Sequence, residues 1–261
     1  MNQEGAVREA LARSCLYRLI SRLFLYPEEG TIPGLNWDEG EEALTFLGNR
    51  VGLEGAFESL RGSLENSADI QSEHVRVFSH TLGEDCPPYE TQYGDGNEGQ
   101  AQIFQQTQEL GDIAGFYRAF GLEVSDQAKD RFDHISIELE FMAFLAYKEA
   151  YALVSDGGEK EKKEKVEKVE ICRDAQKKFL SDHLGRWVPL FTRRLEVQAK
   201  EGFYQRLALV TERFLAFETE AYGLRPLEVK EVTPNPFEPD GSCYSCESKD
   251  LCVPKDMEES S

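Results

Sequence analysis

The stretch RFDHISIELEFMAFLAY, Arg131 to Tyr147, decides how this chain is read. From Ile135 onward it is nearly apolar on all sides, which predicts a buried helix. Yet the run opens with Asp133 and His134 and carries Glu138 and Glu140 within it. Charges in a core are costly unless a partner compensates them. Asp133 lies near the helix start, where the macrodipole favours a negative charge. His134 and Glu138 are four positions apart and share a face, which Phe141, Met142 and Leu145 extend. Two accounts follow. One is a helix start capped by Asp133, with a core His134 paired to Glu138. The other makes these polar groups the floor of a groove that holds an apolar, basic segment.

Outward from this helix, apolar residues at three- and four-residue steps predict helices over 7–26, 41–51, 54–63, 70–80 and 101–121. Others are expected around 132–154, 174–183, 188–200 and 204–222. The charged run SDGGEKEKKEKVEKVE from Ser155 allows Glu–Lys pairs one turn apart and reads as the solvated start of a further helix. Residues 27–40 read as a Gly/Pro/Glu loop, and TLGEDCPPYETQYGDGNEGQ, 81–100, as a turn-rich segment. VSDQAKDRFDH, 124–134, separates two long helices as a hinge would. No stretch alternates with a strand period, so the fold class is all-α. After Pro226 the composition turns to Pro, Glu and Cys, an extended acidic tail over 226–261.

The charge narrows the function classes. The 261 residues hold 29 basic against 49 acidic side chains, a net charge of -20. Such a surface repels phosphate backbones and anionic lipid, so nucleic acid and membrane surfaces are disfavoured and a basic partner is expected. Arg8, Arg13, Arg18 and Arg22 interrupt the apolar residues of 6–26, which is not the pattern of a signal peptide. No run of apolar residues is long enough to span a bilayer. The expected compartment is the reducing cytoplasm, where the six Cys serve as thiols or metal ligands rather than disulfides.

Three stretches carry chemistry. Between Val77 and Ala128 lie nine carboxylates and one basic residue, Arg118. Within that span, PPYETQYG joins stiff Pro87 and Pro88 to Tyr89, Glu90 and Tyr93. Stiff backbone, aromatic faces and carboxylates suit capture of an arginine-bearing peptide, and a solvated acidic face is the plainer account. In the tail, GSCYSCESKDLC spaces Cys243, Cys246 and Cys252 as C-x2-C-x5-C, most of a zinc or iron–sulfur site, or else three free thiols. Enzyme signatures are missing: no Glu-x-x-His, HExxH, G-x-S-x-G or phosphate loop occurs. Cys86 with His74 or His80 is the remaining candidate for a thiolate pair.

Taken in order, YRLISRLFLYP, EHVRVFSH, PPYETQYG, DIAGFYRAFGLEV, FDHISIELEFMAFL and FLSDHLGRWVPLF resemble the TorD/DmsD/NarJ-type chaperones that mature molybdoenzymes. The resemblance covers about residues 15–222 and implies a helical bundle in two halves, 1–123 and 134–225, joined by a hinge at 124–133. It also implies no catalysis and no required cofactor. The expected partner is an apo-molybdoenzyme catalytic subunit, held by its twin-arginine signal peptide or N-terminus until its cofactors are inserted. The family's Asp-His pair falls on Asp133 and His134, and its Pro-rich aromatic loop on Pro87, Pro88, Tyr89, Glu90 and Tyr93. Glu138 and Phe141 extend the expected peptide site. The common Pro shortly before the Asp-His pair is absent here, where Arg131 and Phe132 stand instead. Either a monomer or a homodimer fits.

Overall fold

The helix announced by the quoted stretch begins at Ile135 and packs chiefly against the first helix of the chain and against the helix that follows it. The computed structural model describes residues 2–28, 34–48, 51–65, 67–78, 86–93, 100–123, 131–154 and 159–226. Among them are nine α-helices: α1 (Gln3–Leu23), α2 (Trp37–Leu47), α3 (Glu54–Gly62), α4 (Ser67–Phe78), α5 (Gln100–Ala119), α6 (Ile135–Val154), α7 (Glu159–Phe179), α8 (Gly185–Ala199) and α9 (Phe203–Ala221). The described residues contain no strand, only one isolated antiparallel bridge between Tyr89 and His134. The class is all-α, as the periodicity predicts. Residues 124–130 of the expected hinge and the whole of 227–261, with Cys243, Cys246 and Cys252, lie outside the described residues.

Ile135, Leu139, Met142, Leu145 and Ala146 of α6 have no solvent exposure, while Glu140 faces solvent and is an ordinary surface carboxylate. The four larger of these side chains contribute about 1.5–3 kcal/mol each when fully buried, so α6 is anchored chiefly by its apolar faces. Two serines of α1 set its register on α6. The Ser14 hydroxyl donates to the Ala143 carbonyl (2.8 Å), and Ser21 donates to the Ser136 carbonyl (2.7 Å). The pairing advances along α1 as it retreats along α6, so the two helices run antiparallel.

Four helices meet at Arg13. This α1 guanidinium, 7% exposed, donates to both Glu218 oxygens of α9 (2.7 and 2.5 Å), to Gln176 of α7 (2.9 Å) and to the Tyr222 hydroxyl (2.7 Å). Glu149 of α6 lies 3.4 Å away, and Tyr17 also donates to Glu218 (3.0 Å). Each buried charge thus has several partners, the condition under which such a cluster persists in a core.

A turn of α4 clamps the corner between α8 and α9. The Glu73 carboxylate accepts from the N–H groups of Phe203 (2.7 Å) and Tyr204 (3.2 Å), at the positive end of α9. Arg76 donates to the Gln198 carbonyl (2.7 Å), at the negative end of α8. Gly202 precedes α9 because a Cβ there would overlap the Glu73 carboxylate.

The structure moves three expected boundaries. α2 begins at Trp37, inside the segment read as a loop, because Asn36 caps it by accepting from Glu39 N–H (3.4 Å). Gly40, read as a loop signal, is instead a point of close approach, where a Cβ would lie 2.8 Å from Leu19 and 2.9 Å from Phe57. The charged run and the helix expected near 174–183 are one continuous α7. It passes into α8 through a π-helical turn, Leu180–Leu184.

Candidate functional site

The start of α6 is built jointly by its own residues and the Pro-rich loop. Ile135 N–H, which has no partner within the helix, donates to the Pro88 carbonyl (2.9 Å). Glu90 N–H donates to the Asp133 carbonyl (3.0 Å), and these two bonds form the Tyr89–His134 bridge. His134, rather than Asp133, is the cap. Its carbonyl accepts from Ile137 and Glu138 N–H (2.9 and 3.1 Å), and its Nδ1 accepts from Ser136 N–H (3.2 Å). The imidazole also meets the Ser136 hydroxyl (2.7 Å) and the edge of the Tyr89 ring, with centroids 5.2 Å apart.

Asp133 is completely buried and turned toward the loop. It accepts from the Thr91 hydroxyl (2.8 Å) and Thr91 N–H (3.4 Å), across 42 residues of sequence. Arg131 completes the arrangement. Its Nε and Nη2 donate to the two Asp133 oxygens (3.0 and 2.7 Å), and Nη2 donates also to Thr91 Oγ1 (2.7 Å). The guanidinium carbon stands 5.0 Å from the centre of the Tyr89 ring, a cation–π contact.

Behind this joint lies a buried acid pair. Glu138, fully buried, accepts from Trp187 Nε1 (3.0 Å) through one oxygen; the other receives no hydrogen bond. Burial, then the neighbouring Glu90 carboxylate, push the Glu138 pKa well above the usual carboxylate range. Held as the neutral acid, Glu138 has a proton to donate, and Glu90 is the neighbouring acceptor. Both Glu90 oxygens lie 3.1 Å from Nδ1 of His183, whose Nε2 is 3.4 Å from Asp112. The π-helical turn carries His183, and Trp187 follows one turn later, so one short stretch addresses both carboxylates. Such turns recur at functional positions.

Of the expected site residues, Pro88, Tyr89 and Glu90 do meet Asp133 and His134, and Pro87 is half-buried beside them. Tyr93 lies further along, its ring 5.3 Å from Trp187 and under the Arg194 guanidinium (4.9 Å). Phe141 is 3% exposed and packs among Tyr117, Phe179 and Phe120, at ring distances of 4.8, 4.9 and 6.0 Å. The hydrogen bond of Glu138 goes to Trp187 and that of His134 to Ser136, so the pairing expected from their four-residue spacing is not the one these bonds make. Cys86 is 2% exposed, with Sγ 3.8 Å from the Phe191 carbonyl, a setting unlike that of a reactive thiolate. Among the described residues no group of three or more His, Cys, Asp or Glu is placed to hold a metal. No helix among them is long and apolar enough to cross a membrane. Sequence reasoning missed Thr91, Arg131, His183 and Trp187. The one available signal was the i, i+4 spacing of His183 and Trp187 inside FLSDHLGRWVPLF.

The profile of a family described as the nitrate reductase delta subunit matches residues 48–193. The selenate reductase assembly chaperone protein of Thauera selenatis is 37% identical over 87 residues, 33% of this chain and 40% of that relative. The perchlorate reductase assembly chaperone protein of Dechloromonas aromatica (strain RCB) is 34% identical over 104 residues, 40% of this chain and 42% of the relative. The match therefore spans less than half the length of each of these two. The chaperone protein TorD of Shewanella loihica is 23% identical over 222 residues, 81% of this chain and 93% of the relative.

Proposed function

This chain belongs to the nitrate reductase delta subunit family, and from that premise we propose that it is a cytoplasmic assembly chaperone rather than an enzyme. Its partner on this reading is the apo-form of a molybdoenzyme catalytic subunit. The chaperone binds that subunit's twin-arginine signal peptide or N-terminus and holds it until cofactor insertion, before export. The names of the relatives support the chaperone class. The observation that carries the binding site is the bridge between Tyr89 and His134, which fixes a Pro-rich aromatic loop beside a buried carboxylate already engaged by a guanidinium. A net charge of -20 favours a basic segment at such a place.

The test is calorimetric titration with twin-arginine signal peptides of molybdoenzymes from the same genome, each beside its Lys-Lys version. Binding that weakens with Lys-Lys, and again in Asp133→Asn with His134→Ala, is the expected result. His134→Ala removes a helix cap at a cost of about 1 kcal/mol, so the comparison belongs at a temperature where the variant is folded. Unchanged affinity in the double variant would remove the assignment. A second reading rests on the C-x2-C-x5-C spacing of Cys243, Cys246 and Cys252, which suits zinc or an iron–sulfur cluster and would make the protein a metal-dependent maturation factor. Metal analysis and the visible spectrum after anaerobic purification separate the two.

A further inference from the structure

We propose that Asp133, Thr91 and Tyr89 form a guanidinium subsite occupied in cis by Arg131, and that a client arginine must displace Arg131 to bind. The displacement step rests on the proposed function; the subsite itself does not. The four observations are geometrical. The carboxylate takes the Nε/Nη2 edge of the fork at 3.0 and 2.7 Å, Thr91 Oγ1 accepts a further bond at 2.7 Å, and the Tyr89 ring covers one face at 5.0 Å. This is the full recognition set for an arginine: a two-point acid, a neutral acceptor and an aromatic face. A lysine ammonium carries its three donors on one atom and lacks the planar fork that spans both carboxylate oxygens while lying against the ring.

The receptor groups are held independently of their occupant. The Thr91 hydroxyl and N–H both donate to Asp133, and the bonds from Glu90 N–H and Ile135 N–H tie the loop to the start of α6. None of these bonds involves the Arg131 side chain. Asp133 is inaccessible, whereas the Arg131 side chain is 48% exposed, so the occupant can leave toward solvent while its receptor stays in place. A buried carboxylate without a cation is costly, which gives Arg131 its resting role as placeholder. The sequence is compatible with this: Arg131 stands two residues before Asp133, at an exposed position just ahead of α6.

The test has two arms on the full chain. In the first, thermal melts of the wild type, Arg131→Ala, Arg131→Lys and the pair Arg131→Ala/Asp133→Asn are followed with millimolar methylguanidinium chloride, against methylammonium chloride and sodium chloride. The expected result is a saturable rise in Tm with methylguanidinium in Arg131→Ala alone. No selective rise overturns the subsite. In the second arm the twin-arginine peptide is titrated into wild type and Arg131→Ala. If Arg131 fills the subsite for more than nine-tenths of the time, its removal tightens binding by about tenfold or more. Equal or weaker binding in Arg131→Ala overturns the displacement. Selective rescue with no peptide binding to either protein leaves the subsite standing and refutes the client reading instead.

Discussion

Replacing Glu138 by Gln gives the sharpest reading of the buried acid pair. Glu138 has no exposure, one oxygen on Trp187 Nε1 at 3.0 Å, and Glu90 beside the other. Burial and the Glu90 charge raise its pKa in the folded protein, with Asp133 adding a smaller push in the same direction. In the unfolded chain it titrates near the ordinary glutamate value, about 4.3. Below that value both states hold the proton and the residue is neutral in its effect. As pH rises above it, the unfolded state loses the proton while the folded state keeps it, so stability falls by about 1.4 kcal/mol per pH unit until the folded group titrates. Gln keeps an acceptor for Trp187, offers N–H to Glu90, and carries no charge at any pH. Urea unfolding of both proteins at matched pH values reads the difference, in which carboxylates remote from this pair cancel. The expected Glu138→Gln protein matches the wild type near pH 4 and gains on it as pH rises, by about 1.4 kcal/mol per pH unit. Parallel stability curves from acid to neutral pH would refute the raised pKa.

Two other substitutions probe the frame that positions the site. Arg13→Ala strands Glu218, whose side chain has no exposure, and is expected to cost about 3–5 kcal/mol; adding Glu218→Gln should restore a large part of the loss, measured by chemical denaturation. Gly202→Ala forces Glu73 off the α9 N-terminus and should cost about 1–2 kcal/mol, while the same change in a Glu73→Ala background costs clearly less.

The helices were largely legible because burial writes a three- and four-residue period into the chain, and α6 shows it most strongly. Its cap was misassigned to Asp133 because the cap is His134, whose Nδ1 takes the role usually filled by Ser, Thr, Asp or Asn. Gly40 looked like a loop marker, yet it serves the contact with Leu19 and Phe57 inside α2. Only the neighbouring helices reveal that. For the candidate site, the sequence reading named Pro88, Tyr89, Glu90, Asp133 and His134, and the fold brings these residues together. Their partners were a different matter. A spacing of four says that His134 and Glu138 share a helix face, not that they bond, and Trp187 and Glu90 arrive from α8 and the loop. His183 was hidden for a stronger reason. A π-helical turn has no residue signature, and it shifts the facing of everything after it.

On the proposed function, the joint also constrains how a peptide can engage the protein. Opening the loop at 87–93 would break the two main-chain bonds of the bridge, both Thr91–Asp133 bonds and the contact between His183 and Glu90. Several of these are buried, and each buried bond lost without replacement costs about 1–3 kcal/mol. Exposed ion pairs contribute about 1 kcal/mol or less, so an arriving arginine pair does not offset that loss. Recognition that leaves the loop closed and exchanges one guanidinium for another avoids it. Phe141 is then an internal support rather than a contact, sealed among Tyr117, Phe120 and Phe179. On this mechanism Phe141→Leu lowers stability while peptide affinity, compared on folded protein, stays within a factor of about two, because no peptide atom reaches that ring. A selective loss of affinity in that variant would mean that the loop does open.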